Sequence, residues 1–222
     1  MLNDWSKSAP APTRPVALPH EFADWVYRYS LPRRSPGSGI DTWDAYNRFE
    51  RKAGILDHRL IDLSIQTTWF QKHIGIYTPS DWTKEYVDAF HEDPKPLLAS
   101  NLLVGNVPLR GKPDVVLRNR NDRTVLIIEQ KTTRQQDRDI PDDGWANVEA
   151  QLWCYSWIDD YLDAPEVLLL GQLWRNRKLV QKHFLWRRND HNHDLRCRTW
   201  FERYGGSVTP SLRRGRYVAT DG

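Results

Sequence analysis

A short apolar run that ends in an acid and a lysine is the feature that most constrains this chain of 222 residues. Residues 125–131 are Val-Leu-Ile-Ile-Glu-Gln-Lys. Four consecutive apolar residues predict a buried central strand, where an acid and a lysine are costly unless they have a purpose. Because side chains alternate along a strand, Glu129 and Lys131 project from one face and Gln130 from the other. The run therefore predicts a core strand that carries a functional acid–lysine pair.

A second acid is expected beside this pair. The segment Gly111-Lys112-Pro113-Asp114 places Asp114 at the start of the preceding strand, and a hairpin between the two strands brings Asp114 next to Glu129. Two neighbouring carboxylates repel each other unless a divalent cation binds between them. Mg²⁺ or Mn²⁺ suits a site made of oxygen ligands. We therefore expect a bound Mg²⁺ or Mn²⁺ as cofactor.

Such an ion binds a phosphate oxygen, lowers the pKa of a bound water and stabilises the charge that builds on phosphorus. Lys131 would orient that water, help to deprotonate it or balance the developing charge. The cluster predicts an enzyme that hydrolyses phosphodiesters with a metal ion.

The order Pro113-Asp114, then Glu129-Gln130-Lys131, resembles the signature of the PD-(D/E)xK nuclease superfamily. Downstream, Gln151-Leu152-Trp153-Cys154-Tyr155 resembles the Gln-x-x-x-Tyr motif of its RecB-like branch. Four residues make about one helical turn, so Gln151 and Tyr155 share a helix face. The resemblance implies that these two side chains position DNA or the active-site lysine.

The same resemblance implies roles for the remaining site residues. Asp114 and Glu129 would be metal ligands, the main-chain carbonyl of Gln130 would be a third, and Lys131 would be the catalytic lysine. RecB-like enzymes add an upstream His or Glu ligand from the helix before the sheet.

Three residues compete for the upstream position: Glu85, His91 and, less favourably, His73. Glu85 is preferred because it falls in the middle of the predicted helix, whereas His91 lies near the end that Pro94 closes.

The resemblance implies an α/β, restriction-endonuclease-like core of a helix, a three-stranded antiparallel meander, a second helix and a further strand. The residue pattern predicts the same order. The predicted elements are a helix starting at Ser80 or Asp81 and ended by Pro94, strands over 102–109, 113–117 and 124–131, a helix over 147–162, a strand pair over 167–174 and 179–186, and a helix over 190–204.

The chain divides into four predicted segments. Residues 1–40 form a proline-rich arm with one amphipathic turn over 22–29, and residues 41–79 form a helical extension with helices over 41–54 and 60–73. Residues 80–205 form the nuclease core, and residues 206–222 form a basic, flexible tail.

Together these features predict a deoxyribonuclease that acts on DNA through its phosphate backbone, without sequence specificity. The RecB-like motif favours an exonuclease or a structure-guided nuclease in DNA recombination, DNA repair, phage biology or defence. No helicase segment occurs, so any helicase or recombination partner is a separate protein. A catalytically silent nucleic-acid-binding subunit of a larger complex, an RNA-directed nuclease and an enzyme acting on small nucleotides remain alternatives.

Two cysteines are too few for a disulfide framework or a four-cysteine cluster. With no leader pattern and no apolar run of membrane-spanning length, we expect a cytoplasmic protein without a membrane partner. A zinc site at His191, His193 and Cys197 would lack a fourth ligand, and Asp190 is explained as a helix cap.

Basic runs supply the contacts expected for the phosphate backbone, because the net charge of +3 is small. If the predicted strand order holds, some of them flank the active-site edge. The runs are residues 118–123, 175–178, 187–188 and 213–216.

Overall fold

The computed structural model describes residues 9–30, 81–87, 95–132, 144–175 and 178–209, with only the backbone at 132, 175 and 178–184. Within these ranges the elements are α1 (Pro19–Ser30), β1 (Trp82–Val87), β2 (Leu97–Val104), β3 (Val107–Gly111), β4 (Val115–Asn119), β5 (Val125–Thr132), α2 (Ala146–Ser156), a 3₁₀ turn (Asp159–Tyr161), β6 (Val167–Arg175), β7 (Lys178–Arg187), α3 (His191–Tyr204) and β8 (Gly206–Val208). The predicted helices over 41–54 and 60–73 lie outside the described residues, as do His73 and His91. The fold is mixed α/β.

The larger sheet has five strands in the order β1-β4-β5-β6-β7, and β5 is its central strand. Strand β5 pairs antiparallel with β4 and parallel with β6, and the other pairs are antiparallel. Val125, Leu126, Ile127 and Ile128 are all fully buried. The sequence prediction of a buried central strand is confirmed, as are β4 and the β6–β7 strand pair.

The single strand predicted over 102–109 is wrong, because this stretch contains a hairpin. Strand β2 turns at Gly105 and Asn106 into β3, and Gly105 adopts the left-handed φ of +61° that such a tight turn favours. Strands β2, β3 and β8 form a separate sheet in the order β3-β2-β8. The antiparallel triplet of the main sheet is therefore β1-β4-β5 rather than three consecutive strands.

The helix predicted from Ser80 or Asp81 is also wrong, since residues 82–87 form strand β1. A bulge between Lys84 and Tyr86 interrupts the pairing of β1 with β4. Trp82 and Tyr86 consequently pack on opposite faces of the sheet, although four residues separate them. A spacing of four residues between Trp82 and Tyr86 fits one face of a helix as well as one face of a regular strand, so it did not distinguish the two. Ala89 and Phe90, the rest of the predicted stripe, lie outside the described part of the chain.

Helix α2 lies between two apolar layers. Val148, Leu152 and Tyr155 pack against the five-stranded sheet, whereas Ala150 and Trp153 pack into a cluster with α1 and α3. This double burial explains why α2 has no clear polar face. The predicted helix over 147–162 is therefore confirmed in its first part only, because α2 ends at Ser156 and a 3₁₀ turn follows.

The proline-rich arm predicted over residues 1–40 needs correction in its described part. Pro19 begins a helix of three turns, which suits proline because the first helical N–H has no intrahelical acceptor. Phe22, Trp25 and Val26 on this helix are buried against α2 and α3. Helix α1 thus belongs to the core and is longer than the single amphipathic turn predicted over 22–29.

Helix α3 confirms the helix predicted over 190–204 and the predicted cap at Asp190. The Asp190 carboxylate accepts the N–H groups of Asn192 and His193 at 2.9 and 3.2 Å, as an N-cap does. Gly205 ends the helix with a φ of +101°, in the left-handed region. In the described residues, no helix is both long and apolar enough to cross a membrane.

Candidate active site

Two predicted carboxylates meet where β4 and β5 begin to separate. The last ladder pair is Val115 with Ile128, so the next positions along the two strands are Asp114 and Glu129. Beyond that pair the Gln130 N–H donates to Asp114 Oδ2 at 2.6 Å, in place of a ladder bond. Asp114 is therefore held beside the backbone that links Glu129 to Lys131.

Lys131 and Glu129 form a close ion pair on the same face of β5. Lys131 Nζ donates to Glu129 Oε1 at 2.6 Å, and their side chains are 27% and 3% exposed. Burial alone would lower the pKa of Lys131, but Glu129 first, then Asp114 and Asp24, outweigh burial and raise that pKa above its ordinary value. Lys131 is thus a cation at neutral pH.

The Gln–Tyr motif on α2 connects the two sides of this site. Lys131 Nζ also donates to Gln151 Oε1 at 3.0 Å, and Gln151 Nε2 donates to the Tyr155 hydroxyl at 2.9 Å. The Tyr155 hydroxyl in turn donates to the Lys112 carbonyl at 3.0 Å. This chain of hydrogen bonds ties Lys131 to the segment just before Asp114.

Tyr155, the last side chain in this series of hydrogen bonds, is tightly enclosed. A Cβ added at Gly111 would lie 2.6 Å from Tyr155 Cε1 and 2.7 Å from Pro19 Cγ, so only glycine leaves room for both rings. Burial, followed by the charge of Glu129, raises the pKa of Tyr155 well above its ordinary value. Tyr155 therefore keeps its proton and acts as a fixed donor to Lys112.

Gln130 contributes only its backbone to this face. Its side chain is fully buried on the other side of the sheet, where Nε2 lies 3.5 Å from Gln172 Oε1. A metal role for the Gln130 main-chain carbonyl stays a prediction.

The donor set at this edge fits a hard divalent cation. Asp114 and Glu129 offer carboxylate oxygens from adjacent strands, and Lys131 provides a cation that balances part of their charge. Oxygen-only ligation is the chemistry that Mg²⁺ and Mn²⁺ prefer over zinc or copper. Asp114 and Glu129 would hold the ion.

The structure does not bring Glu85 to this site. Glu85 lies on β1 and forms an ion pair with Arg118. Arg118 pairs with Val125, at the opposite end of β4 from Asp114. The preference for Glu85 depended on its position in the middle of a helix that does not exist, and we withdraw it as the upstream ligand. His91, the other candidate, lies outside the described residues.

One acid near the site was missed by sequence analysis. Asp24 on α1 is exposed, and its charge contributes to the raised pKa of Lys131. The sequence signal available was the amphipathic pattern over 22–29, but nothing in it indicated that α1 packs against α2. Asp24 thus adds, after Glu129 and Asp114, to the negative charge that favours the Lys131 ammonium.

The basic runs divide between the two ends of the sheet, and two of them lie at the end away from the site. Arg118 pairs with Glu85 and Arg187 pairs with Glu166, while Arg188 donates to the carbonyls of Tyr161 and Ala164. These residues lie at the strand ends away from Asp114, because Arg187 and Arg118 pair with the starts of β6 and β5. The run over 175–178 follows Trp174, which pairs with Thr132 at the Lys131 end. The run over 213–216 lies outside the described residues.

A second polar cluster lies between α2 and α3. One ligand atom each from Glu149, His193 and Cys197 lies within 4.8 Å of the others, and all three residues are buried. Sequence analysis named His193 and Cys197 but not Glu149, which only the packing of the two helices reveals. Asp190 caps α3, and His191 is exposed.

No protein-family model matches this sequence, and no curated protein does. A solved structure described as the crystal structure of SSO0001 is similar, with 15% sequence identity and a TM-score of 0.41. The similarity covers 88% of this chain and 80% of that one.

Proposed function

We propose that this protein is a metal-dependent nuclease of the PD-(D/E)xK type, with a restriction-endonuclease-like core and the Gln-x-x-x-Tyr motif of the RecB-like branch. One observation carries the proposal. Lys131 donates to Glu129 on its own strand and to Gln151 on α2, while Asp114 accepts from the backbone between Glu129 and Lys131. Predicted residues from β5, from α2 and from the position just before β4 thus meet at one end of the central strand.

Each residue has a defined task in this proposal. Asp114 and Glu129 bind Mg²⁺ or Mn²⁺, and the bound ion supplies Lewis acidity toward the phosphate and a more acidic water. Lys131 keeps its proton and stabilises negative charge on the phosphate through its N–H groups. Gln151 and Tyr155 hold the ammonium group in place.

The raised pKa of Lys131 narrows the choice of roles for this lysine. A general base must release its proton near the working pH, whereas Glu129 and Asp114 favour the charged ammonium. We therefore assign Lys131 to orienting water and balancing charge, and not to removing a proton.

The proposed substrate is DNA, bound through its phosphates, with end-processing favoured by the Gln-x-x-x-Tyr motif. The test incubates the full chain with linear duplex DNA, circular duplex DNA, single-stranded DNA and RNA, in Mg²⁺, Mn²⁺ or chelator. Cutting of linear but not circular duplex identifies an exonuclease, and nicking of circles identifies an endonuclease.

A preference for RNA would change the proposed substrate from DNA to RNA, while the proposed metal-dependent hydrolysis would stay the same. Binding of nucleic acid without cleavage under any metal condition would reject the enzyme and favour a silent binding subunit.

A further inference from the structure

Helix α2 carries polar contacts on two opposite sides. At about 100° per residue, Glu149 and Trp153, followed by Trp157 just past the end of α2, form one stripe, and the stripe of Gln151 and Tyr155 is centred about 180° away. The second stripe contacts Lys131 and Lys112. The first stripe contacts α3, so α3 contributes, together with α1 and the sheet, to where α2 presents Gln151.

Contacts from the first two turns of α3 follow the first stripe one after another. Arg196 Nε donates to both Glu149 oxygens at 3.1 and 3.2 Å, and His193 Nδ1 lies 2.8 Å from Glu149 Oε1. Trp153 Nε1 donates to Asp194 Oδ1 at 2.9 Å.

Arg198 extends these contacts to the end of α2, where its guanidinium lies 5.7 Å from the Trp157 ring centroid. Arg198 also forms an ion pair with Asp194 at 3.1 Å. We call this set of α2–α3 contacts the polar seam.

The centre of the polar seam is Glu149, a carboxylate whose side chain is only 6% exposed. Burying a carboxylate is costly, and an ion pair in its place often adds little stability compared with an apolar pair. In some proteins a buried ionic contact fixes the relative position of two elements, because any slip leaves a charge without its partner. Glu149 therefore serves the relative placement of α2 and α3 more than it serves stability.

The same cluster is a poor metal site. Two ligands of one tetrahedral zinc ion lie about 3.3 Å apart for bonds of about 2.0–2.1 Å, whereas His193 Nδ1 and Glu149 Oε1 are 2.8 Å apart, a hydrogen-bond distance. Arg196 already places a cation on Glu149. Burial, and then Glu149, raise the pKa of the Cys197 thiol, which keeps it protonated and weakens it as a ligand.

We infer that Glu149 is a positioning residue for the active site: through Arg196 and His193 it fixes α2 so that Gln151 meets Lys131. For its kinetic readout this inference rests on the proposed nuclease function.

The test compares Glu149→Gln with Glu202→Gln, the same change at an exposed position on α3. The structural readout is the side-chain amide signal of Gln151 in ¹⁵N–¹H NMR, identified by its loss in Gln151→Ala. We expect Glu149→Gln to shift this signal and to lower kcat about tenfold with KM within about twofold, the pattern of a lost transition-state contact. Glu202→Gln should change neither quantity.

An unmoved Gln151 signal together with wild-type kcat in Glu149→Gln would overturn the inference. So would stoichiometric zinc in the purified protein that is lost in Cys197→Ser. If Glu149→Gln does not fold, the same two measurements are made on Arg196→Gln. The Arg196 side chain is 29% exposed, so its replacement disturbs the core less. If the wild type cuts no nucleic acid, the proposed function fails, and the Gln151 signal alone still decides the positioning role.

Discussion

At the level of single residues, some hydrogen bonds stabilise the fold alone and others also position the catalytic groups. Tyr155 and Tyr204 offer a matched pair, because each hydroxyl makes two hydrogen bonds that include a main-chain carbonyl. Tyr155 bonds Gln151 and Lys112, whereas Tyr204 accepts from the Val16 N–H at 2.9 Å and donates to the Val16 carbonyl at 3.1 Å. Only Tyr155 is linked to Lys131.

We predict that Tyr155→Phe and Tyr204→Phe each cost about 1–3 kcal/mol of unfolding free energy, since each leaves polar groups without a partner. Nuclease activity should fall about tenfold in Tyr155→Phe alone, because Gln151 loses its anchor. Urea denaturation and cleavage rates measure the two effects. Equal activity losses in both variants would mean that the loss reports stability and not positioning.

The charge state of Lys131 gives a pH prediction. Its folded-state pKa lies above the ordinary value of 10.5, so the ammonium's contribution to stability is complete below that pH and disappears as pH rises through the folded pKa. Lys131→Met should therefore be less stable than wild type at neutral pH, and the gap should narrow above about pH 10.5.

Urea denaturation at pH 7, 9 and 11 measures this gap, and effects common to both proteins cancel in the difference. A gap that stays constant to pH 11 would contradict the charged-lysine account.

At the level of secondary-structure elements, helix α1 packs into the core beside α2, the helix that carries Gln151 and Tyr155. Phe22 is fully buried and packs against Trp153, Phe201 and Tyr204 at centroid distances of 6.5, 5.3 and 5.4 Å. We predict that Phe22→Ala costs about 3–5 kcal/mol, as large-to-small core substitutions do. Glu21→Ala, at an exposed position on the same helix, is the control, and similar losses in both would mean that α1 is not part of the core.

The elements also show where sequence analysis succeeds and where it fails. Strand β5 was predictable because its apolar run needs burial on both faces whatever surrounds it. Strand β1 was not, because a bulge changes which face Tyr86 occupies, and the pairing with β4 that creates the bulge is a long-range event. Gly105-Asn106 is a local sequence signal for the β2–β3 turn, but the apolar residues on both sides favoured one continuous strand.

The residues of the candidate site also fall into a group that the sequence predicts and a group that it does not. Asp114, Glu129, Lys131, Gln151 and Tyr155 follow a spacing that the sequence displays, and hydrogen bonds link them as neighbours in the structure. Asp24 and Glu149 carry no local signature. Their importance comes from helix packing that brings α1 and α3 against α2, which sequence spacing does not encode.

At the scale of the whole molecule, metal binding should be visible as added stability. A cation that binds only the folded state adds about 2.7 kcal/mol at a concentration 100 times its Kd. We predict that Mg²⁺ or Mn²⁺ raises the Tm of the wild type and of Asp163→Asn, an exposed control, but not that of Asp114→Asn. A Tm of Asp114→Asn that rises as in the wild type would place the ion elsewhere.

The most direct test of the central claim is cleavage of DNA by wild type and by Lys131→Ala, with folding of both checked by circular dichroism. We expect the wild type to cut DNA in Mg²⁺ or Mn²⁺ and not to cut it in chelator. Lys131→Ala should lose about 100-fold or more in rate, as expected when a group that stabilises transition-state charge is removed. A folded Lys131→Ala variant that cuts as fast as wild type would contradict the account.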